Sequence, residues 1–460
     1  MNNLTKTDPF TIKNIRLFIA FRVFFNARFY YPVFTILFLD FGLTLEQFAL
    51  LNAVWAATIV IMEVPSGALA DAFGRRKLLV FSGMLMVVEV ALLCVVPKGH
   101  PNLLFGVFLF NRVLSGTAEA SASGADEAIA YDALKRAGSV EDWGRVLDRQ
   151  MRAQSAAFIL AMTLGGAVYD PSVMQWVTNW LGFNIAITQD ITLRFPIYLT
   201  LLMAVLTLLT ALRMQEVVTS ENGNECADRE ECGISILRAF ELTFQAGRWI
   251  LKTPFALIII VVGLTFDSII RMIITLNSQY YRLIELPEAS FGLIGSGMSV
   301  LGLFIPRLCL RLAERHSPSF IFAIMSVLSL LGLWGITLMI PVFGVVPILL
   351  LFSVMFFLNF FQSHYLNRIA NSEQRATILS FKGLANNLSY GFLGILYSLL
   401  VALLRDRLME SQPQLKDNLL NIVFIHSLDW FPWFFLAAMV VMVLYARRQL
   451  RHSVEHKKRG

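Results

Sequence analysis

Ionisable side chains stand inside long apolar stretches of this sequence, where each one needs a partner, water or a task. In one stretch Arg112, Glu119 and Asp126 follow each other at intervals of seven residues, which places them on one face of a helix. In another stretch Asp267 and Arg271 are four residues apart and can form an ion pair. Carboxylates at such positions can load and release protons, and arginines can hold an anion. The pattern therefore indicates proton transfer or ion binding at membrane depth.

Two further apolar stretches carry polar residues on one helical face: Arg22 with Asn26, and Lys382 with Asn386. Among the groups expected at mid-depth, bases outnumber acids, and a positive cavity would favour anionic or zwitterionic cargo. The bases in this tally are Arg22, Arg28, Arg112, Arg271 and Lys382, and the acids are Glu89, Glu119 and Asp267. A purely structural role for the pair of Asp267 and Arg271 stays open at this stage.

The composition indicates the environment in which these groups lie. Of the 460 residues, 57% are hydrophobic and 15% are charged, and the mean hydropathy is +0.65. A soluble chain of this kind would expose more apolar surface than water tolerates, so an ordinary soluble enzyme is excluded. The sequence has no Gly-rich phosphate loop, HExxH or G-x-S-x-G motif, and we expect neither enzymatic activity nor a cofactor. The spacing of Cys226 and Cys232 matches no zinc pattern, so no metal site is expected.

Long apolar windows predict twelve membrane-spanning helices, because a helix needs about 20 residues to cross the hydrocarbon core. The first six windows are Ile15–Leu39, Gln47–Ala70, Lys77–Val96, Leu103–Leu134, Ala153–Tyr169 and Leu193–Leu212. The second six are Pro254–Tyr281, Phe291–Leu312, Ser319–Ile340, Val345–Ile369, Ala376–Leu404 and Trp430–Tyr445. The predicted fold class is an all-α membrane protein.

Polarity divides the chain, and charge orients it. We predict a first six-helix bundle over 1–214, a second bundle with a basic tail over 253–460, and a cytoplasmic linker over 215–252 that ends in an amphipathic helix. Lysine and arginine concentrate in alternate connectors, so the positive-inside rule places both termini in the cytoplasm. We expect the basic tail to contact anionic lipid headgroups rather than nucleic acid.

The connector after the second window reads MEVPSGALADAFGRRKLL. Its glycines allow a tight turn and close helix approach, and Asp71 can cap the next helix or accept hydrogen bonds from arginine. The run G-x-x-x-D-x-x-G-R-R resembles the signature of the major facilitator superfamily. The longer form E-x-P-S-G-x-x-A-D-x-x-G-R-R resembles bacterial efflux-type members of that family.

Other spans add to this resemblance and limit it. Arg112 and Gly116 resemble the R-x-x-x-G of the drug and proton antiporter branch, whereas the fifth window has Gly165 and Gly166 but lacks the G-P-x-x-G-G run of proton-coupled antiporters. The family implies two pseudo-symmetric six-helix bundles around a central cavity that opens alternately to each side. It also implies that the connector locks to an acid near the end of span four, for which Asp126 is the best match, with Glu127 and Asp132 close behind. The gate residues expected on this basis are Gly67, Asp71, Gly74, Arg75, Arg76 and Asp126.

The expected function is secondary active transport across the bacterial cytoplasmic (inner) membrane by a monomer. We expect proton-coupled efflux of a small amphipathic or anionic molecule, such as a drug or a siderophore-like metabolite. One alternative is an uptake permease for a sugar, an organic acid or another anion, and another is a transport-inactive scaffold or sensor. Glu119 is the first candidate for proton coupling and Asp267 the second, whereas Glu89 is not expected in the site. The residues expected to line the substrate cavity are Arg22, Asn26, Arg112, Glu119, Asp267, Arg271, Lys382 and Asn386.

Overall fold

A computed structural model describes residues 8–137, 140–183, 185–216, 241, 244–245, 247–251, 253–369, 375–411 and 418–459. Helices make up most of this part of the chain. The first ten are α1 Lys13–Asn26, α2 Phe34–Phe41, α3 Leu45–Phe73, α4 Arg75–Val95, α5 Pro101–Ala122, α6 Ala125–Arg136, α7 Trp143–Tyr169, α8 Pro171–Trp180, α9 Gln189–Thr192 and α10 Phe195–Arg213. The others are α11 Pro254–Thr275, α12 Asn277–Leu283, α13 Glu288–Arg315, α14 Pro318–Thr337, α15 Val345–Ile369, α16 Arg375–Ser411, α17 Leu419–Leu428 and α18 Trp430–Arg459.

The described residues contain ten segments long and apolar enough to cross a membrane, or eleven if the two parts of α13, bent by 45°, form one span. The protein is therefore a multi-pass membrane protein, as predicted. Several predicted windows agree closely with helices, and the tenth coincides with α15, Val345–Ile369. The first predicted window is absent from the ten because its helix is broken.

The break in the first span lies between α1 and α2. Pro32 has no backbone N–H and disfavours helical geometry in the residue before it, which interrupts the regular hydrogen bonding. Side chains replace part of the lost bonding: Phe29 N donates to Thr200 Oγ1 at 3.0 Å, and Thr35 N donates to Ser278 Oγ at 3.0 Å. Such replacement is what an irregular segment at membrane depth requires.

The fourth span is also broken, between α5 and α6. Gly124 has a φ of +76°, a conformation that favours glycine and ends the regular helix. The predicted span Leu103–Leu134 is confirmed as one segment, Pro101–Arg136, but its helix is interrupted at this glycine. Asp126 instead lies in the first turn of α6, and the heptad spacing from Arg112 through Glu119 does not extend to it as a single stripe.

Contacts between residues divide the chain into two compact units. Unit 1 comprises Met1–Val33, Thr58–Phe240 and Glu288–Ser296, and unit 2 comprises Phe34–Ala57, Glu241–Pro287 and Gly297–Gly460. Helix α3 thus contributes its first part to unit 2 and its second part to unit 1. The boundaries at 214 and 253 stay a prediction. Most of the predicted linker over 215–252, including Cys226 and Cys232, lies outside the described residues.

Unit 1 has a continuous apolar core between α1, α4, α6 and α10, which includes Phe21, Leu79, Ile129 and Ala204. Close backbone contact joins α7 to the start of α13, where a Cβ added at Gly292 would meet the carbonyl group of Met162. Small residues permit this approach of two helices within a membrane.

Asp170 connects three elements of unit 1. It follows α7 and caps α8, accepting hydrogen bonds from Ser172 N at 2.8 Å and Val173 N at 3.4 Å. Its second oxygen accepts from Ala289 N, in the first turn of α13, at 3.1 Å. Burial raises the pKa of Asp170, but the hydrogen bonds from Ser172, Ala289 and Val173 outweigh it and hold that pKa below its usual range.

In unit 2, ion pairs hold residues 34–57 against the later helices. Arg282 binds Asp40 through two parallel hydrogen bonds of 2.7 Å each, and Arg405 pairs with Glu46. Glycines on α16 allow close packing, since a Cβ at Gly394 would lie 3.2 Å from the carbonyl oxygen of Ala49. The polar groups described below are positioned on this framework.

Candidate functional site

A buried ion pair lies in the interior of unit 1. Arg28 Nη1 donates to Glu89 Oε1 at 2.5 Å, and the two side chains are 3% and 1% exposed. The same nitrogen donates to Tyr30 Oη at 2.9 Å, and the guanidinium carbon lies 5.6 Å from the ring centre of Phe25. Arg28 Nη2 and Glu89 Oε2 have no hydrogen-bond partner among the described residues. The pair is neutral as a whole but leaves one donor and one acceptor unused.

Glu119 on α5 lies within the electrostatic field of this pair. Its charge interacts with those of Arg28, Glu89 and Arg22, and its side chain is half-buried. Within the described part of the chain its carboxylate makes no hydrogen bond or ion pair. Glu63 on α3 lies near it and accepts a hydrogen bond from Ser123 Oγ at 3.3 Å. Glu119 therefore combines charged neighbours with the lack of a fixed partner.

Arg22 on α1 is held by two acids at the start of α6. Its Nη2 donates to Asp126 Oδ1 at 3.0 Å and to Glu127 Oε1 at 2.8 Å. Asp126 is 2% exposed and also accepts from Glu127 N at 2.8 Å. Asn26 Nδ2 donates to the carbonyl oxygen of Arg22 at 2.8 Å, so the predicted partnership of these two residues is a contact within their own helix. The charge of Arg22 is neutralised inside unit 1.

Arg112 is buried and connects to the Arg28 and Glu89 pair through a neighbour. Its Nε and Nη2 donate to Asn111 Oδ1 at 3.1 and 3.0 Å. Asn111 Nδ2 in turn donates to the carbonyl oxygen of Glu89 at 2.8 Å. Arg112 thus belongs to the polar interior between α4 and α5.

A second polar cluster lies in unit 2. Arg271 Nη2 contacts Asp267 Oδ2 at 2.5 Å, which confirms the predicted pair. Arg271 Nη1 donates to Asn387 Oδ1 at 2.9 Å, and its guanidinium carbon lies 5.3 Å from the ring centre of Tyr390. The Asp267 side chain is 2% exposed, whereas that of Arg271 is 26% exposed. The arginine of this cluster is therefore partly exposed, whereas its acid is buried.

Two further residues of α16 complete this cluster. The charge of half-buried Lys382 interacts with that of Asp267, but its ammonium group makes no hydrogen bond or ion pair within the described part of the chain. Asn386, one turn later, is 5% exposed, and its Oδ1 has no hydrogen-bond partner there. Two cations thus share a single carboxylate, so the cluster keeps a net positive charge.

The connector between α3 and α4 is a tight turn at Gly74, whose φ of +95° favours glycine. Glu216 caps the start of α4, since its two oxygens accept from Arg75 N at 3.1 Å and Arg76 N at 2.9 Å. A carboxylate at this position also complements the helix dipole. The side chain of Asp71 lies outside the described residues.

The acid that meets the connector is Asp132, one of the alternatives, rather than the first candidate Asp126. The structure pairs Arg75 with Asp132 of α6, while Asp126, the predicted partner, is occupied by Arg22. Arg76 Nη2 donates to the carbonyl oxygen of Leu212 at 2.9 Å. Gly67 lies inside α3, and a Cβ there would meet no described atom within 4 Å, so close helix approach does not explain this glycine.

Several polar residues of these clusters were not among the predicted site residues: Arg28, Tyr30, Glu63, Glu89, Asp132, Glu216, Asn387 and Tyr390. Arg28 and Glu89 had a signal, since both stand in apolar windows, but no spacing relates two residues on different helices. Pairing also alters the charge tally, because three of the five counted bases have fixed acidic partners.

Comparison with known proteins identifies the family. The family model described as Major Facilitator Superfamily matches residues 16–395. No curated protein sequence matches the chain.

Solved structures share the fold. A mutant form of the nucleoside transporter NupG is 13% identical over 95% of this chain and 100% of its own, with a TM-score of 0.68. A bacterial homologue of the human lysosomal transporter Spinster is 13% identical over 96% of this chain and 98% of its own, with a TM-score of 0.68. The D-xylose–proton symporter is 13% identical over 95% of this chain and 97% of its own, with a TM-score of 0.61. The family model covers most of the chain and the solved structures share its fold, so the chain belongs to the major facilitator superfamily.

Proposed function

We propose that this protein is a proton-coupled secondary transporter that works by alternating access and exports a small amphipathic or anionic molecule across the bacterial cytoplasmic membrane. The observation that carries the proposal is Glu119, a half-buried carboxylate with charged neighbours but no hydrogen bond or ion pair within the described part of the chain. Such an acid can change its protonation state without first breaking an ion pair, whereas Glu89, Asp126 and Asp267 are each engaged by an arginine.

Neighbouring arginines give this acid a second property. Arg28 and Arg22 stabilise its charged form, while its partly buried position stabilises the neutral form. Because these effects oppose each other, a change of access to water from one side to the other can change the protonation state of this acid. Asp267 is the second candidate, because its ion pair with Arg271 must open before it can take up a proton.

The test is a proton-flux measurement in proteoliposomes with a pH-sensitive dye trapped inside. Benzoate serves as the anionic probe and ethidium as the cationic probe, each under an imposed pH gradient. We expect Glu119→Gln to abolish pH-driven transport of the accepted probe while membrane insertion is unchanged. Glu119→Asp should retain part of the activity, and Glu410→Gln, at an exposed position, should match the unmodified protein. Unchanged proton flux in Glu119→Gln would reject this assignment.

Direction follows from the same preparation. Export by exchange for protons predicts that the probe moves toward the acidic side, whereas an uptake permease that carries both together moves it toward the alkaline side. The motif resemblance to efflux-type members supports export. Labelling of a cysteine placed at Asn26 separates transport from a static scaffold, since a residue in an alternating passage becomes accessible from both faces.

A further inference from the structure

The polar cluster of unit 2 contains more positive charge than its one carboxylate, Asp267, can neutralise. Arg271 is engaged by Asp267 at 2.5 Å and by Asn387 at 2.9 Å. The charge of Lys382 interacts with that of the same carboxylate, but its ammonium group has no hydrogen bond or ion pair among the residues that the structure describes. An ammonium group inside a membrane span is costly without a partner. A charge retained there therefore needs either water or a ligand.

Geometry places the available groups on one face of α16. Lys382, Asn386 and Tyr390 are four residues apart in turn and so lie along one side of the helix. Tyr390 stacks against the guanidinium of Arg271 at 5.3 Å, which ties this face to α11. Asn386 is 5% exposed, and the lack of a hydrogen-bond partner for its amide oxygen leaves a buried polar group unsatisfied in the described chain.

We propose that Lys382, Arg271 and Asn386 form a subsite for the anionic group of the cargo, a carboxylate or a phosphate, and that Asp267 is the internal counterion which this group displaces. Arginine presents a planar fork that matches either oxyanion, and lysine adds a second charge. The Asn386 amide contributes a neutral hydrogen bond. This subsite names the cargo chemistry for the transport proposed above and rests on that proposal.

Asp267 distinguishes an anion subsite from a merely structural cluster. A displaceable counterion competes with the cargo, so its removal should strengthen anion binding. In a structural cluster, loss of either the acid or the lysine would weaken the fold and give no gain in affinity. The two variants Asp267→Asn and Lys382→Gln therefore have opposite expected effects.

The experiment measures binding of three probes with one aromatic ring each, benzoate, phenyl phosphate and benzylammonium, to the full chain in lipid nanodiscs by titration calorimetry. Relative to the unmodified protein, Lys382→Gln should weaken the better anion about tenfold or more, as expected for loss of a charge-assisted contact. Asp267→Asn should strengthen it by a similar factor, and Lys382→Arg should keep the affinity within about threefold. Arg282→Gln removes an arginine from another ion pair of unit 2 and should leave anion affinity unchanged.

The ratio of benzoate to phenyl phosphate affinity identifies the oxyanion. Failure of both anions to bind, equal affinity in Lys382→Gln, or weaker binding in Asp267→Asn would each overturn the subsite. These results are independent of the proton-flux assay. Transport driven by pH with no change of anion affinity in the variants would refute the subsite alone. Opposite effects of the two variants without pH-driven transport would refute the proton coupling alone.

Discussion

The buried pair of Arg28 and Glu89 makes a quantitative prediction. With side chains 3% and 1% exposed, replacement of Glu89 by glutamine leaves a guanidinium charge buried without its acid, which costs about 3–5 kcal/mol in comparable cases. Tyr30 and Phe25 keep their contacts with the arginine, and a cation–π contact of this kind contributes about 1–2 kcal/mol. We therefore expect the free energy of unfolding to fall by about 3 kcal/mol.

Reversible unfolding in mixed micelles, followed by tryptophan fluorescence as dodecyl sulfate is added, measures this loss. Asp148→Asn is the matched control, because Asp148 and its partner Arg152 are 58% and 72% exposed and such pairs contribute about 0.5 kcal/mol or less. The double variant Arg28→Met, Glu89→Gln should be more stable than Glu89→Gln alone, with a coupling of about 2 kcal/mol or more. A loss below about 1 kcal/mol for Glu89→Gln, or no coupling, would show that the pair does not hold Arg28 in place.

Two further changes test the packing and the caps of unit 1. Gly292→Ala places a methyl group against the backbone of Met162 and should cost about 2 kcal/mol or more in the same unfolding assay. Its control is Gly67→Ala, which has no described atom within 4 Å of the added methyl group and should change stability by less than about 1 kcal/mol. Equal losses in the two variants would contradict the contact between α7 and α13. Asp170→Asn should cost about 1 kcal/mol at pH 7, because the amide nitrogen cannot accept the hydrogen bond from Ala289 N. Because the folded-state pKa of Asp170 is lowered, its contribution is present above the unfolded pKa of about 3.9 and is lost as the pH falls toward the folded value. The variant should therefore lose less stability than the unmodified protein below about pH 4, and a parallel pH dependence of the two would contradict this role.

The membrane crossings were predictable because their signal is a sum over many residues. A window such as Val345–Ile369 contains enough apolar side chains that no single contact alters the result, and its predicted bounds coincide with those of α15. The breaks within spans were not predicted, since apolar periodicity runs through them without interruption. Gly124 and Pro32 did mark both positions in the sequence, but their effect depends on whether side chains such as Thr200 can satisfy the exposed backbone.

Charge behaves differently from hydropathy, because an ion pair cancels two residues that the sequence counts separately. Arg28 and Glu89 are 61 residues apart in the chain, and Arg22 and Asp126 are 104 apart, so no local spacing relates them. When these paired residues are left out of the count, unit 1 no longer has more bases than acids at mid-depth. Glu119 is the acid there that has no fixed partner among the described residues. In unit 2 the residual charge is that of Lys382. The charges available for protons or cargo are thus the ones that tertiary pairing leaves over, and a mutation that breaks the pair of Asp267 and Arg271 should alter selectivity as much as one that removes the charge of Lys382.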